Sequence, residues 1–239
     1  MNKEGASHIE VILAFVLFVG FIMFALYFFN PLNSSRLVDT SVDYLLNEIR
    51  EKTEVAVDFY SLKIDSSVSD ESIQLDYPDD VDTSKNVASE GEDGEILDSR
   101  VAGNNIFVDR KNNDFIKLKF SETITENDNC CQNAKNLEAQ GNEGKKYILA
   151  SSNKRNIISE KKISEINKTY YENYNALKEE FNLPGRVNFA IVFFLSNKEV
   201  RMEKEIPNNF EVFTEETRVE LIRDDNGKIE FADLIIKVW

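Results

Sequence analysis

The sequence predicts an α+β protein: a long N-terminal membrane helix, then a mostly antiparallel β-sheet ectodomain that carries one packed amphipathic helix. Three observations predict it. Val11–Phe29 is a run of nineteen residues without a charge. From Val55 onward, stretches of alternating apolar and polar residues are separated by turn-forming residues. One later stretch, Ser159–Asn182, abandons that alternation for a helical period.

The apolar run comes first. At about 1.5 Å per residue it nearly crosses a hydrocarbon core of about 30 Å, which reads as a transmembrane helix. Gly20 is tolerated in such a helix. A secretory signal has a shorter apolar region, about 7–15 residues, followed by a small-residue cleavage site. Here the run ends in Phe28-Phe29-Asn30-Pro31. Lys3 and the N-terminal amine place the N-terminus inside and the acidic remainder outside. Glu10 is the anomaly. An acidic side chain at the centre of a membrane helix costs about 2.5–3.5 kcal/mol on insertion scales, and less near an end.

The leader "MNKEGASHIE" and the run behind it resemble the type IV prepilin, or class III, signal sequence. That family has a short charged leader ending in Gly, a cut after that Gly, and Glu as the fifth mature residue of an otherwise apolar helix. A cut between Gly5 and Ala6 makes Glu10 the fifth mature residue. The match covers residues 1–30. It departs at Glu4, where archaeal members usually carry a basic residue. The resemblance implies a leader at 1–5, a membrane and filament-core helix at 6–30, a helical extension at 31–54 and an extracytoplasmic β-rich domain at 55–239. It implies as partners a prepilin peptidase, other pilin-like subunits and the membrane. It also gives Glu10 an assembly role, opposite the new amine of Ala6 on a neighbouring subunit.

Asn30-Pro31 interrupts the first helix, because proline removes a hydrogen bond and restricts the residue before it. Ser34 or Ser35 caps a restart. Val38, Val42, Leu45 and Ile49 then recur on one helix face, which predicts contact with the chain's own globular domain. Val55–Ile64 and Glu71–Tyr77 flank a Ser-rich turn and predict a hairpin. Asn105–Phe120 alternates on both sides of Asn112-Asn113 and predicts a second. Lys145–Ser151 adds a strand. Ile163, Ile166, Tyr170, Tyr174, Leu177 and Phe181 define the amphipathic helix Ser159–Asn182, stopped by Pro184-Gly185, with its aromatic residues in the core. Val187–Leu195 is apolar almost throughout, as in a central strand covered on both faces. Asn226-Gly227 predicts a terminal hairpin. The apolar positions then shift from Ile229 and Phe231 to Leu234, Ile236 and Val238, which predicts a β-bulge near Ala232-Asp233.

Charge and composition exclude more than they identify. The formal net charge of −15 argues against nucleic acid, which needs a basic footprint. Between Asp65 and Asp98 lie twelve acidic side chains and one basic one, Lys85. This predicts a solvated acidic loop at 79–99. A calcium loop opening at Asp80, Asp82 and Ser84 lacks its glycine and its closing glutamate, so no metal site is expected. The single histidine, His8, lies before the apolar run, which removes histidine-based triads and metal sites from the domain. No phosphate-binding glycine loop is present and no cofactor is expected. Cys130 and Cys131 are adjacent and lack a C-x-x-C spacing. A vicinal disulfide, free thiols and pairing between chains are all open to them. Asn33 and Asn167 begin glycosylation sequons, which carry meaning only outside the cytoplasm.

Nothing in these residues points to an enzyme. The resemblance implies a structural subunit, a minor pilin or pseudopilin, on the cell membrane or in a surface filament. The competing expectation is a single-pass membrane-anchored extracytoplasmic binding protein that does not polymerise.

Overall fold

The structure is a computed structural model; it describes residues 3–28, 32–127, 130–137, 146–208 and 210–239. Two helices lead, α1 (Lys3–Phe28) and α2 (Leu32–Thr53), with side chains described over 10–25 and 41–53. Nine strands follow: β1 (Glu54–Ile64), β2 (Ser72–Asp76), β3 (Asn86–Glu90), β4 (Ile96–Leu97), β5 (Ser99–Ala102), β6 (Asn105–Asp109), β7 (Phe115–Ser121), β8 (Lys135–Asn136) and β9 (Tyr147–Ser159). After α3 (Glu160–Glu172) and α4 (Tyr174–Glu180) come β10 (Phe189–Phe194), β11 (Glu199–Met202), β12 (Phe213–Ile222) and β13 (Ile229–Val238). The larger sheet has the order β11-β10-β13-β12-β9-β1-β7-β3-β4, the smaller β5-β6-β2-β8.

The expected membrane helix is corrected. Among the described residues no helix is long and apolar enough to cross a membrane. The single-pass topology, the membrane and cell-surface placement and the extracytoplasmic assignment of the domain lose their support with it.

One face of the larger sheet carries two cores side by side. Over β9, β12, β13 and β10 lie the helices. Val42, Leu45 and Ile49 of α2 are buried there with Ile163, Tyr170, Leu177 and Phe181 of the α3–α4 pair. The predicted single helix is two. Ser159 caps α3 by accepting the amide of Lys162, and Asn173 leaves the helical region at φ −149° to cap α4 through the amide of Ala176. Strand β10 is buried except at Phe194, but it lies second from the sheet edge.

Over β1, β7 and β3 lies the smaller sheet. Tyr60, Leu62, Leu118 and Phe120 meet Ile73, Leu75, Ile106 and Val108. Neither early hairpin exists. β1 pairs with β7 and β9, whereas β2 pairs with β6 and β8. Likewise β6 belongs to the smaller sheet and β7 to the larger. At the second crossover Lys111 and Asn112 take positive φ, and Arg110 is buried with its guanidinium on the Val68 carbonyl and the Asp114 carboxylate.

The acidic stretch is corrected from a solvated loop to a structural segment. β3 within it pairs with β7, and Val81, Val87, Ala88 and Leu97 are buried. Aspartates that opened the calcium reading are engaged: Asp80 accepts the Tyr60 hydroxyl at 2.5 Å, and Asp82 accepts the amide of Ser84 at 2.9 Å. The terminal hairpin forms, with β12 and β13 in unbroken register. No bulge occurs near Ala232-Asp233, because the inward positions are Ala232, Leu234, Ile236 and Val238. Phe231 faces out, 56% exposed, under the guanidinium of Arg218. The irregularity sits instead between β1 and β9, where Ser152 has no partner in the register.

Candidate assembly surface

The exposed surface that most needs a partner is α1. From Val11 to Phe24 its large apolar side chains are 37–69% exposed, on every side of the helix. A helix that is apolar all round is normally buried. Glu10 is the one charged residue among the described side chains of this helix, one residue before the run. The backbone of Gly5 and Ala6 lies in the same helix, but their side chains lie outside the described residues.

The next helix supplies a fixed base. α2 is held by its buried stripe, by an ion pair between Lys52 and Glu180 at 3.2 Å, and by contacts with β9, β12 and β13. Thr53, at its end, donates to the carbonyl of Ile49 at 2.6 Å and leads directly into β1. On its outer face Tyr44 is exposed. Its phenol is pushed up chiefly by its hydrogen bond to Glu48, with desolvation and the charge of Glu48 adding to it.

A second exposed patch escaped the sequence reading. Phe115 and Ile148, 51% and 48% exposed, are both cross-strand partners of Lys63 on the outer face of the β7-β1-β9 ribbon. They line a cavity of about 270 Å³ with Asp65, Ser66 and Asp114. The alternation in β7 pointed to a strand, but which of its faces stays uncovered depends on partners far away in the chain.

The remaining expected site residues are scattered. Cys130 and Cys131 are joined in a disulfide beside the smaller sheet. Asn167 lies on α3, half-buried, with its side-chain oxygen buried and unpartnered. Asn33 lies on α2, its side chain outside the described residues. Among the described residues no group of three or more His, Cys, Asp or Glu is placed to hold a metal ion.

No family model, no curated protein and no solved structure matches this chain. The pilin resemblance is therefore confined to residues 1–30, and descriptions of the chain as pilin-like or transmembrane find no support in these comparisons.

Proposed function

We propose that the chain is a structural subunit that assembles through α1, in the manner of a pilin-like protein. The observation that carries this reading is the exposed apolar helix on a base anchored to the domain. Water is a poor solvent for that surface, at roughly 25 cal/mol per Å². Packing against the same helix of other copies removes it from water, and apolar helices associate at interaxial distances of about 8–10 Å. In this reading a prepilin-type peptidase cuts between Gly5 and Ala6, and Glu10 sets the register between subunits.

Sedimentation of the full chain tests it. The protein should form species much larger than 27.5 kDa. Val16→Glu, which places a charge within the run, should shift the population to the monomer while leaving the circular dichroism of the β domain unchanged. A full chain that stays monomeric at micromolar concentration, or a Val16→Glu variant that assembles as well as the natural chain, refutes the proposal.

A further inference from the structure

We propose that the Cys130–Cys131 disulfide is a reversible thiol-exchange site, and that its reduction releases β8 from the edge of the smaller sheet. The bridge lies in a tight turn. The amide of Cys130 donates to the carbonyl of Asn127 at 3.0 Å, and the amide of Ala134 to the carbonyl of Cys131 at 3.2 Å. Cys131 takes φ +62°, in the left-handed region that non-glycine residues seldom occupy. A covalent ring between the two residues holds that conformation. With the ring open, Cys131 must keep it unaided.

The turn feeds directly into β8, a two-residue strand with exposed side chains. β8 is held by parallel pairing of Ile73 with Lys135 and Gln74 with Asn136, by the amide of Leu137 on the carbonyl of Gln74 at 3.0 Å, and by the burial of the Leu137 side chain. So short a strand depends on the turn that presents it.

The surroundings suit exchange. Cys130 is buried and Cys131 half-exposed. The Arg100 side chain donates from Nε to the carbonyl oxygen of Cys130 at 3.0 Å, with its guanidinium carbon 4.4 Å from the ring centre of Phe107. The Arg100 guanidinium thereby pins the backbone of Cys130. The thiolate of an external dithiol attacks Sγ of Cys131, the S–S bond breaks, and Cys130 departs as the thiolate. The second thiol of the reagent then attacks the mixed disulfide, releases Cys131 and closes the reagent's own disulfide. Two electrons pass to the protein, and the two protons given up by the reagent end on the cysteines.

The test is hydrogen exchange on the full chain, oxidised and after native treatment with dithiothreitol, with the redox state read by mass and by alkylation. The reduced protein should gain 2 Da and two alkylation sites. The Leu137 amide should then exchange about tenfold faster, the scale set by unaided left-handed backbone. Amides of β10 should keep their rates, and reoxidation should restore protection at Leu137. The double variant Cys130→Ser/Cys131→Ser should match the reduced protein and ignore the dithiol. Equal protection of Leu137 in both redox states overturns the proposal. So does a double variant as protected as the oxidised chain, or a native bridge that dithiothreitol leaves intact.

Discussion

Both carboxylate oxygens of Asp224 lie 3.1 Å from the hydroxyl of Ser159. The same carboxylate accepts the amide of Lys161, and the carbonyl of Asp224 accepts the amide of Thr125 at 2.7 Å. One residue of the β12–β13 loop thus caps α3 and grips the segment after β7. Asp224→Ala strips the side-chain acceptor from the Ser159 hydroxyl and the Lys161 amide, leaves the carbonyl to Thr125, and should lower stability by about 1–3 kcal/mol. Asp224→Asn, which keeps one oxygen, should lose less. Urea unfolding of both variants measures the difference.

The same group gives a pH dependence of definite sign. Burial pushes the Asp224 carboxyl above its ordinary value, against the hydrogen bonds from Thr123, Lys161 and Ser159 that pull it down. The folded state therefore holds the proton at a pH where the unfolded chain, with an Asp pKa of about 3.9, has released it. From about pH 3.9 upward to the folded value, this group's contribution to stability falls as pH rises, and above that it is flat. The stability of the natural protein relative to Asp224→Asn should decline across that window. A difference that stays constant between pH 4 and 7 would show that burial does not perturb this carboxyl.

Glu90 works in the opposite sense. Burial raises its carboxyl, but the hydrogen bond and charge of Lys119 outweigh that and hold it below the ordinary value. Lys119 Nζ lies 2.6 Å from Glu90 and 3.0 Å from the carbonyl of Gly227, with its side chain almost wholly buried. The pair's contribution is present above the unfolded Glu pKa of about 4.3 and is lost as pH falls through the folded value. Lys119→Met leaves the Gly227 carbonyl without this donor and Glu90 with only the more exposed Lys117 Nζ at 3.3 Å, and should cost about 1–3 kcal/mol at pH 7. In Lys119→Met/Glu90→Leu much of that loss should be recovered, which thermal unfolding of the single and double variants will show.

Gly227 is required twice over. Its φ is +65°, and a Cβ there would sit 2.1 Å from Cβ of Ala88. Gly227→Ala should destabilise by more than about 2 kcal/mol, from left-handed strain plus overpacking. Ala88→Gly in the same chain relieves only the clash, so it should restore part of the melting temperature. Full restoration would show that the backbone strain is negligible.

This glycine also marks what was legible. Asn226-Gly227 announced the turn, and the turn is there, because turn chemistry is local. Its docking on Ala88 of β3 is a contact across 139 positions, and no local pattern encodes it. The stripe of α2 and the apolar run of β10 were readable for the same reason: each period names the face that a single element buries. Strand partners were not. Alternation in β1 and β2 says that both are strands, yet it is silent on whether the turn between them closes a hairpin or crosses to another sheet. Phe231 misled because an exposed aromatic on a strand is indistinguishable in sequence from a core one, and only the Arg218 guanidinium over its ring explains its position. At the assembly surface, the apolar run and Glu10 were visible at once, whereas the Phe115–Ile148 patch waited on knowing both neighbours of β1.

The acidic stretch gives the plainest reversal. Read as solvated, it should be dispensable; in the structure it supplies β3, and Lys85 from it lies 2.6 Å from Asp58 of β1. Deleting residues 79–98 removes β3, one of the two partners of β7, and takes Val81, Val87 and Leu97 out of the core that holds Leu118 and Phe120. The expected result is loss of cooperative unfolding. A deletion variant that melts within a few degrees of the natural protein would show that β3 contributes little.

Glu10 carries the last prediction, which rests on the proposed assembly. A cut after Gly5 frees an amine on Ala6 with an ordinary pKa of about 7.7–8.0, mostly charged at neutral pH. In a bundle of apolar helices a carboxylate without a partner is unfavourable, and a positive amine relieves it. Ala6 and Glu10 are one turn apart in a helix, so pairing within one chain is open to them. Pairing between chains does more, because it fixes the stagger of one helix on the next. Glu10→Val leaves the amine unpaired in the bundle and should weaken association by about 2–5 kcal/mol, the scale for truncating one partner of a buried charge pair. Cutting at Gly5 should be unaffected, so mass spectrometry would still find chains that begin at Ala6. If hydrophobic contact alone drove assembly, Glu10→Val would assemble at least as well as the natural chain, since it adds apolar surface. Sedimentation of the cut Glu10→Val protein therefore separates the two: a monomer supports the register role, and a normal assembly removes it.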